Sequence, residues 1–205
     1  ALGIALNVEV PQTIKVHVTG EFPKYVSPKD LILHLIGRIS AEGANFKVLE
    51  FCGPTIEKMS TSGRMVLCNM SMEAGATSGI IPADKETERY LRSEAGVKTQ
   101  VTPVVSDRDA TYVDTLEIDA SKLVPVVACP HTGDNVKPVD AVAGTKVHQI
   151  VIGSCTNGRL DDLEVAARIL IERKVAAGTR MLVFPASGKV YAKALEKGYL
   201  ATFMG

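Results

Sequence analysis

The chain has 205 residues with 23 basic and 23 acidic side chains, 46% hydrophobic and 22% charged residues. That is the balance of a globular protein long enough for one large or two modest domains. Zero formal charge argues against a nucleic-acid partner, which would require a basic face, and no apolar run reaches the roughly 20 residues of a membrane span.

In chain order, residues 1–6 are apolar but lack a basic flank, which makes them a poor signal peptide. Residues 13–18 alternate apolar and polar and predict a strand. Ser27-Pro28-Lys29-Asp30 then opens a helix, with Ser27 as cap, Pro28 at the first helical position and Asp30 closing a capping box. Gly43 is its expected stop. A strand follows at 47–51, then a turn at Gly53-Pro54, a helix over 63–74 and a short strand at 79–82. Asp84 caps a charged helix to about residue 93.

Near 101–109 the composition shifts to Pro, Ser and Asp, which places a domain boundary there, dividing the chain into residues 1–108 and 109–205. Strands are expected at 112–118, 124–128 and 147–153, and the Pro- and Gly-containing stretch 129–145 reads as loop. A helix over 160–175, a strand at 180–184 and a helix from Ser187 to Gly198 complete the chain. This strand–helix alternation predicts an α/β fold with mostly parallel sheets and right-handed crossovers.

Four cysteines, Cys52, Cys68, Cys129 and Cys155, are widely spaced. They form no disulfide framework, so a reducing, cytoplasmic compartment is expected. Cys155 stands apart. It follows the predicted strand ending at Gly153 and precedes a helix, at the carboxyl edge where open α/β sheets bind ligands. Nearby backbone N–H groups and the helix dipole favour thiolate, the form that attacks electrophiles or ligates metal. The plainer reading is a small residue in a tight turn, with Ser154, Thr156 and Asn157 as caps. A Cys–His dyad with His148 fails on geometry. Seven residues of strand separate the two by roughly 23 Å, and odd spacing sends them to opposite faces. His131 remains a distant alternative.

The second signal is Met65-Val66-Leu67-Cys68-Asn69-Met70-Ser71-Met72-Glu73-Ala74-Gly75-Ala76. As a mostly apolar helix it is expected to be buried, with Asn69 and Glu73 four apart on one face. A buried amide and carboxylate need partners: a metal-bound water, a ligand or Arg64. The plainer reading is a face bordering a polar cleft without chemistry.

These two stretches, Ile152-Gly153-Ser154-Cys155-Thr156-Asn157 and Gly63-Arg64-Met65 through Ala76, resemble hallmark motifs of the aconitase superfamily. Within it they resemble the 3-isopropylmalate dehydratase branch, built from separate large and small subunits. Residues 27–37, Glu88-Arg89-Tyr90-Leu91 and 130–138 match in order, so the resemblance covers the chain. It implies aconitase-like three-layer domains with helices on both faces of mostly parallel sheets. Residues 1–108 then match the second domain and 109–205 part of the third. It also implies a [4Fe–4S] cluster held by three cysteines, of which Cys155 matches the first metal ligand, flanked by Ser154 and Asn157. Glu73 and Asn69 match catalytic positions. The implied activity is a hydro-lyase that moves a hydroxyl between adjacent carbons of a small dicarboxylate by dehydration and rehydration. The implied partners are the small subunit, which carries the serine base, and the remainder of the large subunit.

The other two cluster cysteines of the family lie in a Cys-x-x-Cys beyond residue 205, and the family's Asp-Ser-His-Thr-type segment and substrate arginines are also missing. An incomplete chain, inactive alone, is therefore expected. The remaining alternatives are homoaconitate hydratase or a related dicarboxylate dehydratase, a non-catalytic docking domain, and a thiol enzyme using Cys155.

Overall fold

The computed structural model describes residues 9–98 and 102–204. The chain divides into two compact units, residues 1–139 and 140–205. The apolar start at 1–6 and residue 101 of the composition shift lie outside the described residues.

In the first unit, β1 (Gln12–Thr19), β2 (Lys47–Cys52), β3 (Ser78–Ile80) and β4 (Asp114–Asp119) form a parallel sheet in the order β3-β2-β1-β4. The alternation seen in the sequence sets its two faces, because successive side chains point opposite ways. Ile14, Val16 and Val18 are buried, whereas Lys15 and His17 are half-buried on the other face. Register places Val16 between Phe51 and Leu116, so the centre of the core is a row of three buried side chains from three strands. Removing such a side chain, as in Phe51→Ala, costs about 3–5 kcal/mol in a packed core.

Helix α1 (Pro28–Ile39) begins as the sequence predicts. Asp30 accepts from the Ser27 backbone N–H at 2.8 Å and from its hydroxyl at 2.6 Å. Its other oxygen accepts from Val126 N at 2.9 Å, so one buried carboxylate both caps α1 and anchors a distant strand. The helix stops before Ser40, which takes a φ of 71°; Gly43 lies in the turn that follows rather than at the helix end. The fully buried Leu31, Ile32, Leu35 and Ile36 face the core.

The turn signal at Gly53-Pro54 becomes a one-turn helix, α2 (Pro54–Glu57), and α3 (Thr61–Met70) packs on α1. At Gly63 a Cβ would stand 2.8 Å from both Pro28 Cγ and Met59 Cγ, so the two helices approach closely only because no side chain intervenes. Helix α4 (Lys85–Ser93) buries no residue, as its charged sequence predicts, and Asp84 caps it by accepting from Glu86 N and Thr87 N.

Strand β4 pairs with β1, so the Pro-, Ser- and Asp-rich stretch before it is a connection inside the first unit. The compact units divide after Val139, not between residues 108 and 109. Strands β5 (Val126–Ala128) and β6 (Val136–Pro138) form an antiparallel pair. Three-residue strands show no hydrophobic period, which is why β6 reads as loop in the sequence.

In the second unit, β7 (Gln149–Ile152) and β8 (Arg180–Val183) pair in parallel around α5 (Leu160–Leu170), followed by α6 (Gly188–Glu196) and α7 (Tyr199–Met204). The strand–helix–strand–helix order is the one expected. Leu163, Ala194 and Leu200 are buried together, with Ile152 and Val183 packed against them. Helix α5 ends five residues earlier than expected, where Ile171 turns to a ψ of 127°. Gly198 breaks the last helix at a φ of +77° but the chain re-enters helix as α7. Among the described residues no helix is long and apolar enough to cross a membrane.

Candidate active site: the Cys155 turn and the Glu73 cleft

Strand β7 gives way to Gly153, whose φ of +110° suits only glycine and where a Cβ would lie 2.0 Å from Phe184 O. Backbone bonds pin both ends of the turn to the exit of β8: Phe184 N donates to Ile152 O at 2.7 Å and Ala186 N to Gly158 O at 2.8 Å. Inside the turn, Ser154 N donates to Asn157 O at 3.2 Å. Thr156 N donates to Ser154 Oγ at 3.2 Å, and the two hydroxyls are 3.0 Å apart. Thr156 Oγ1 also donates to Asn157 Oδ1 at 3.0 Å.

Asp162, in the first turn of α5, closes the network. Its Oδ1 accepts from Asn157 Nδ2 and its Oδ2 from Arg159 N, both at 2.9 Å. Thr156 is buried, whereas Cys155 is a free, exposed thiol without a hydrogen-bond partner among the described residues. Three neighbours of the thiol are thus tied down and the sulfur is presented outward. Arg159 Nε is buried beside the turn with no acceptor.

Asn69 and Glu73 are placed differently from the expectation. The α-helix ends at Met70, and Glu73 lies in a tighter 3-10 turn, Ser71–Ala74, so spacing of four no longer sets a common helical face. Both side chains are exposed rather than buried. Buried Ser71 sits at the break, its hydroxyl donating to Leu67 O at 2.9 Å. Left-handed Gly75 (φ +79°) then ends the turn, with a Cβ there only 2.0 Å from Asn45 Oδ1.

Arg64 is not their partner. It is 5% exposed and donates to both Asp84 oxygens at 2.7 Å, to Met59 O at 3.0 Å and to Glu57 O at 2.9 Å. Neither Asn69 nor Glu73 hydrogen-bonds another described side chain. Glu73 lines a cleft of about 460 Å³ with Lys29, Asp30, Met70, Val127 and Gly133; Asn69 does not. On the β5–β6 side of that cleft, β5 lies within the strand expected at 124–128, whereas β6 and the bond from Val126 N to Asp30 are not anticipated by the sequence.

The other thiols differ from Cys155. Cys52, Cys68 and Cys129 are half-buried members of the first unit, and burial pushes the Cys52 and Cys68 thiols up. An iron–sulfur cluster needs several thiolates. Among the described residues no three Cys, His, Asp or Glu side chains converge. The exposed Cys155, at the open end of a parallel strand, fits one ligand position of such a group. The described residues do not fit a full set.

Both units carry parallel strands joined by helices, an α/β protein, and in the second unit the Cys155 thiol follows the carboxyl end of β7, the edge at which open α/β sheets bind ligands. The model of the Aconitase family (aconitate hydratase) matches residues 1–145 and 137–205, and the chain belongs to that family. It is similar to a probable 3-isopropylmalate dehydratase large subunit of Methanothermobacter thermautotrophicus, with 47% identity over 95% of this chain and 46% of the relative. A 3-isopropylmalate dehydratase large subunit 2 of Archaeoglobus fulgidus is 46% identical over 100% of this chain and 50% of the relative. A probable methanogen homoaconitase large subunit, also of M. thermautotrophicus, is 45% identical over 95% of this chain and 45% of the relative. The chain spans about half the length of the curated relatives it matches.

Proposed function

We propose that the chain is part of the large subunit of an iron–sulfur hydro-lyase, 3-isopropylmalate dehydratase of leucine biosynthesis. The observation that carries this reading is the Cys155 turn, in which the side chains of Ser154, Thr156 and Asn157 are hydrogen-bonded and the thiol is exposed without a hydrogen-bond partner among the described residues. In this reading Cys155 is one ligand of a [4Fe–4S] cluster, Ser154 and Asn157 hold its turn, and the remaining ligands come from the rest of the large subunit. The first compact unit corresponds to an aconitase-like second domain and the second unit to part of the third.

When bound, the cluster supplies a Lewis-acid iron that polarises a hydroxyl on the substrate. The chain's own part is acid–base and positional. Glu73, without an ion pair among the described residues and facing a cleft, would in its carboxylic acid form donate to that hydroxyl and deliver the proton as the C–O bond breaks, so that the hydroxyl leaves as water while the base takes the proton from the adjacent carbon. Asn69, exposed at the end of α3, offers its carboxamide to the same group. The small subunit supplies the missing base, and a reducing, cytoplasmic setting keeps Cys155 available.

The homoaconitase relative supports a second reading with the same chemistry on homoaconitate, a tricarboxylate. The test is to extend the chain to the full length of its relatives, co-express it with a small subunit, reconstitute with iron and sulfide, and assay 3-isopropylmalate beside homoaconitate. The reading expects absorbance near 400 nm, turnover dominated by 3-isopropylmalate, and no turnover from the 205 residues alone. Turnover dominated by homoaconitate transfers the assignment to the second reading, and a full-length complex with neither absorbance nor turnover overturns both.

A further inference from the structure

Within the second unit, Asp162 does more than favour a helix N-terminus. Its two oxygens separately hold Asn157 Nδ2 and Arg159 N, each at 2.9 Å. From Asn157 the bonding runs through Thr156 to Ser154 and so spans Cys155 from both sides. The glycine positions pin only the backbone ends of the turn. Among the described residues, the side-chain bonds of Ser154, Thr156 and Asn157 reach α5 at this carboxylate. A helix supplies a rigid base on which to fix a reactive group, and a loop by itself does not.

We infer that Asp162 is a positioning residue for the Cys155 thiol, fixing the turn to α5 so that the sulfur is presented outward in one orientation. This rests on Cys155 being a cluster ligand. The carboxylate fits the task because it accepts in two directions at once, and both of its partners are donors. An alanine there leaves Asn157 Nδ2 and Arg159 N without their acceptor. An asparagine keeps one acceptor for Arg159 N. A flip of the Asn157 amide restores the second bond, because the Thr156 hydroxyl then accepts instead of donating.

The test uses full-length protein reconstituted with iron and sulfide, comparing wild type, Asp162→Ala, Asp162→Asn and Ser187→Ala. Ser187 caps α6 by accepting from Val190 N at 3.2 Å, and its side chain makes no hydrogen bond to residues 153–158 among the described residues, so it reports what losing a helix cap does by itself. Two quantities are read: iron and 400 nm absorbance per chain, and hydrogen exchange of residues 153–158 in the cluster-free protein. Asp162→Ala is expected to lose at least threefold in cluster content and to exchange at least tenfold faster across the turn. Asp162→Asn should recover most of both, and Ser187→Ala should match wild type in both.

Wild-type cluster content and exchange in Asp162→Ala overturn the inference, as does an equal loss in Ser187→Ala. If the wild type takes up no cluster, the cluster reading fails, and the exchange measurement alone then decides whether Asp162 orders the turn.

Discussion

Arg64 and Asp84 meet through two 2.7 Å hydrogen bonds, one to each carboxylate oxygen. The guanidinium is 5% exposed and the carboxylate 34% exposed, so the pair joins α3 to the N-cap of α4 from inside the unit. This arginine is occupied by Asp84, Met59 O and Glu57 O and bonds neither Glu73 nor Asn69.

Arg64→Ala should therefore destabilise the first unit without touching the Glu73 cleft. Losing a paired, buried cation costs about 2–4 kcal/mol, discounted because Asp84 is partly solvated and rehydrates. Urea unfolding should show a lower midpoint for Arg64→Ala and a near-normal one for Glu73→Gln. A larger loss for Glu73→Gln contradicts this placement.

The same corner sets an acid limb of stability. The Arg64 hydrogen bonds hold the Asp84 carboxyl below its ordinary value. Arg89, with help from Thr61, pulls Glu86 down to about 2. For depressed carboxyls the contribution is present above the unfolded value, near 4, and is lost as pH falls through the folded one. Stability of the first unit should thus fall between about pH 4 and pH 2. In Asp84→Asn the fall should be shallower, read as urea midpoints across that range. An unchanged slope in Asp84→Asn rules this corner out as the cause.

Thiol reactivity should rank by exposure. Cys155 is exposed, whereas Cys52 and Cys68 are half-buried with thiols pushed up by burial, which lowers their thiolate fraction. Iodoacetamide at pH 8, followed by peptide mass spectrometry, should modify Cys155 at least tenfold faster than Cys68. Faster alkylation of Cys68 contradicts the arrangement.

Glu73→Gln tests the proposed proton carrier. The change keeps the shape and removes the ionisable oxygen, so kcat of the reconstituted complex should drop by about a hundredfold or more, with cluster absorbance unchanged. Wild-type kcat removes Glu73 from the chemistry.

Much of this was legible in the sequence where a local rule acts alone. The cap Ser27-Pro28-Asp30, the alternation at 13–18 and the turn after Gly153 each follow from backbone geometry within a few residues, and each appears as expected. Helical spacing from Asn69 to Glu73 was misleading because the α-helix ends at Met70 and Glu73 lies in the 3-10 turn that follows. The second role of Asp30 depends on a contact 96 residues away, and β6 is a three-residue strand in a Pro- and Gly-containing stretch, so no local period records either. The stretch before β4 looks like a linker in composition, yet pairing of Ile14 with Asp114 and of Val18 with Ile118 carries the chain back into the first sheet.

The most direct test of the central claim is Cys155→Ser in the full-length complex with its small subunit, reconstituted with iron and sulfide and measured for iron content, 400 nm absorbance and 3-isopropylmalate turnover. Serine keeps the size of the side chain and its place in the turn but removes the thiolate. The account predicts at least a tenfold loss of turnover together with a cluster that is absent or readily lost, in a chain that still folds by circular dichroism. Full cluster content and wild-type turnover in Cys155→Ser would contradict it.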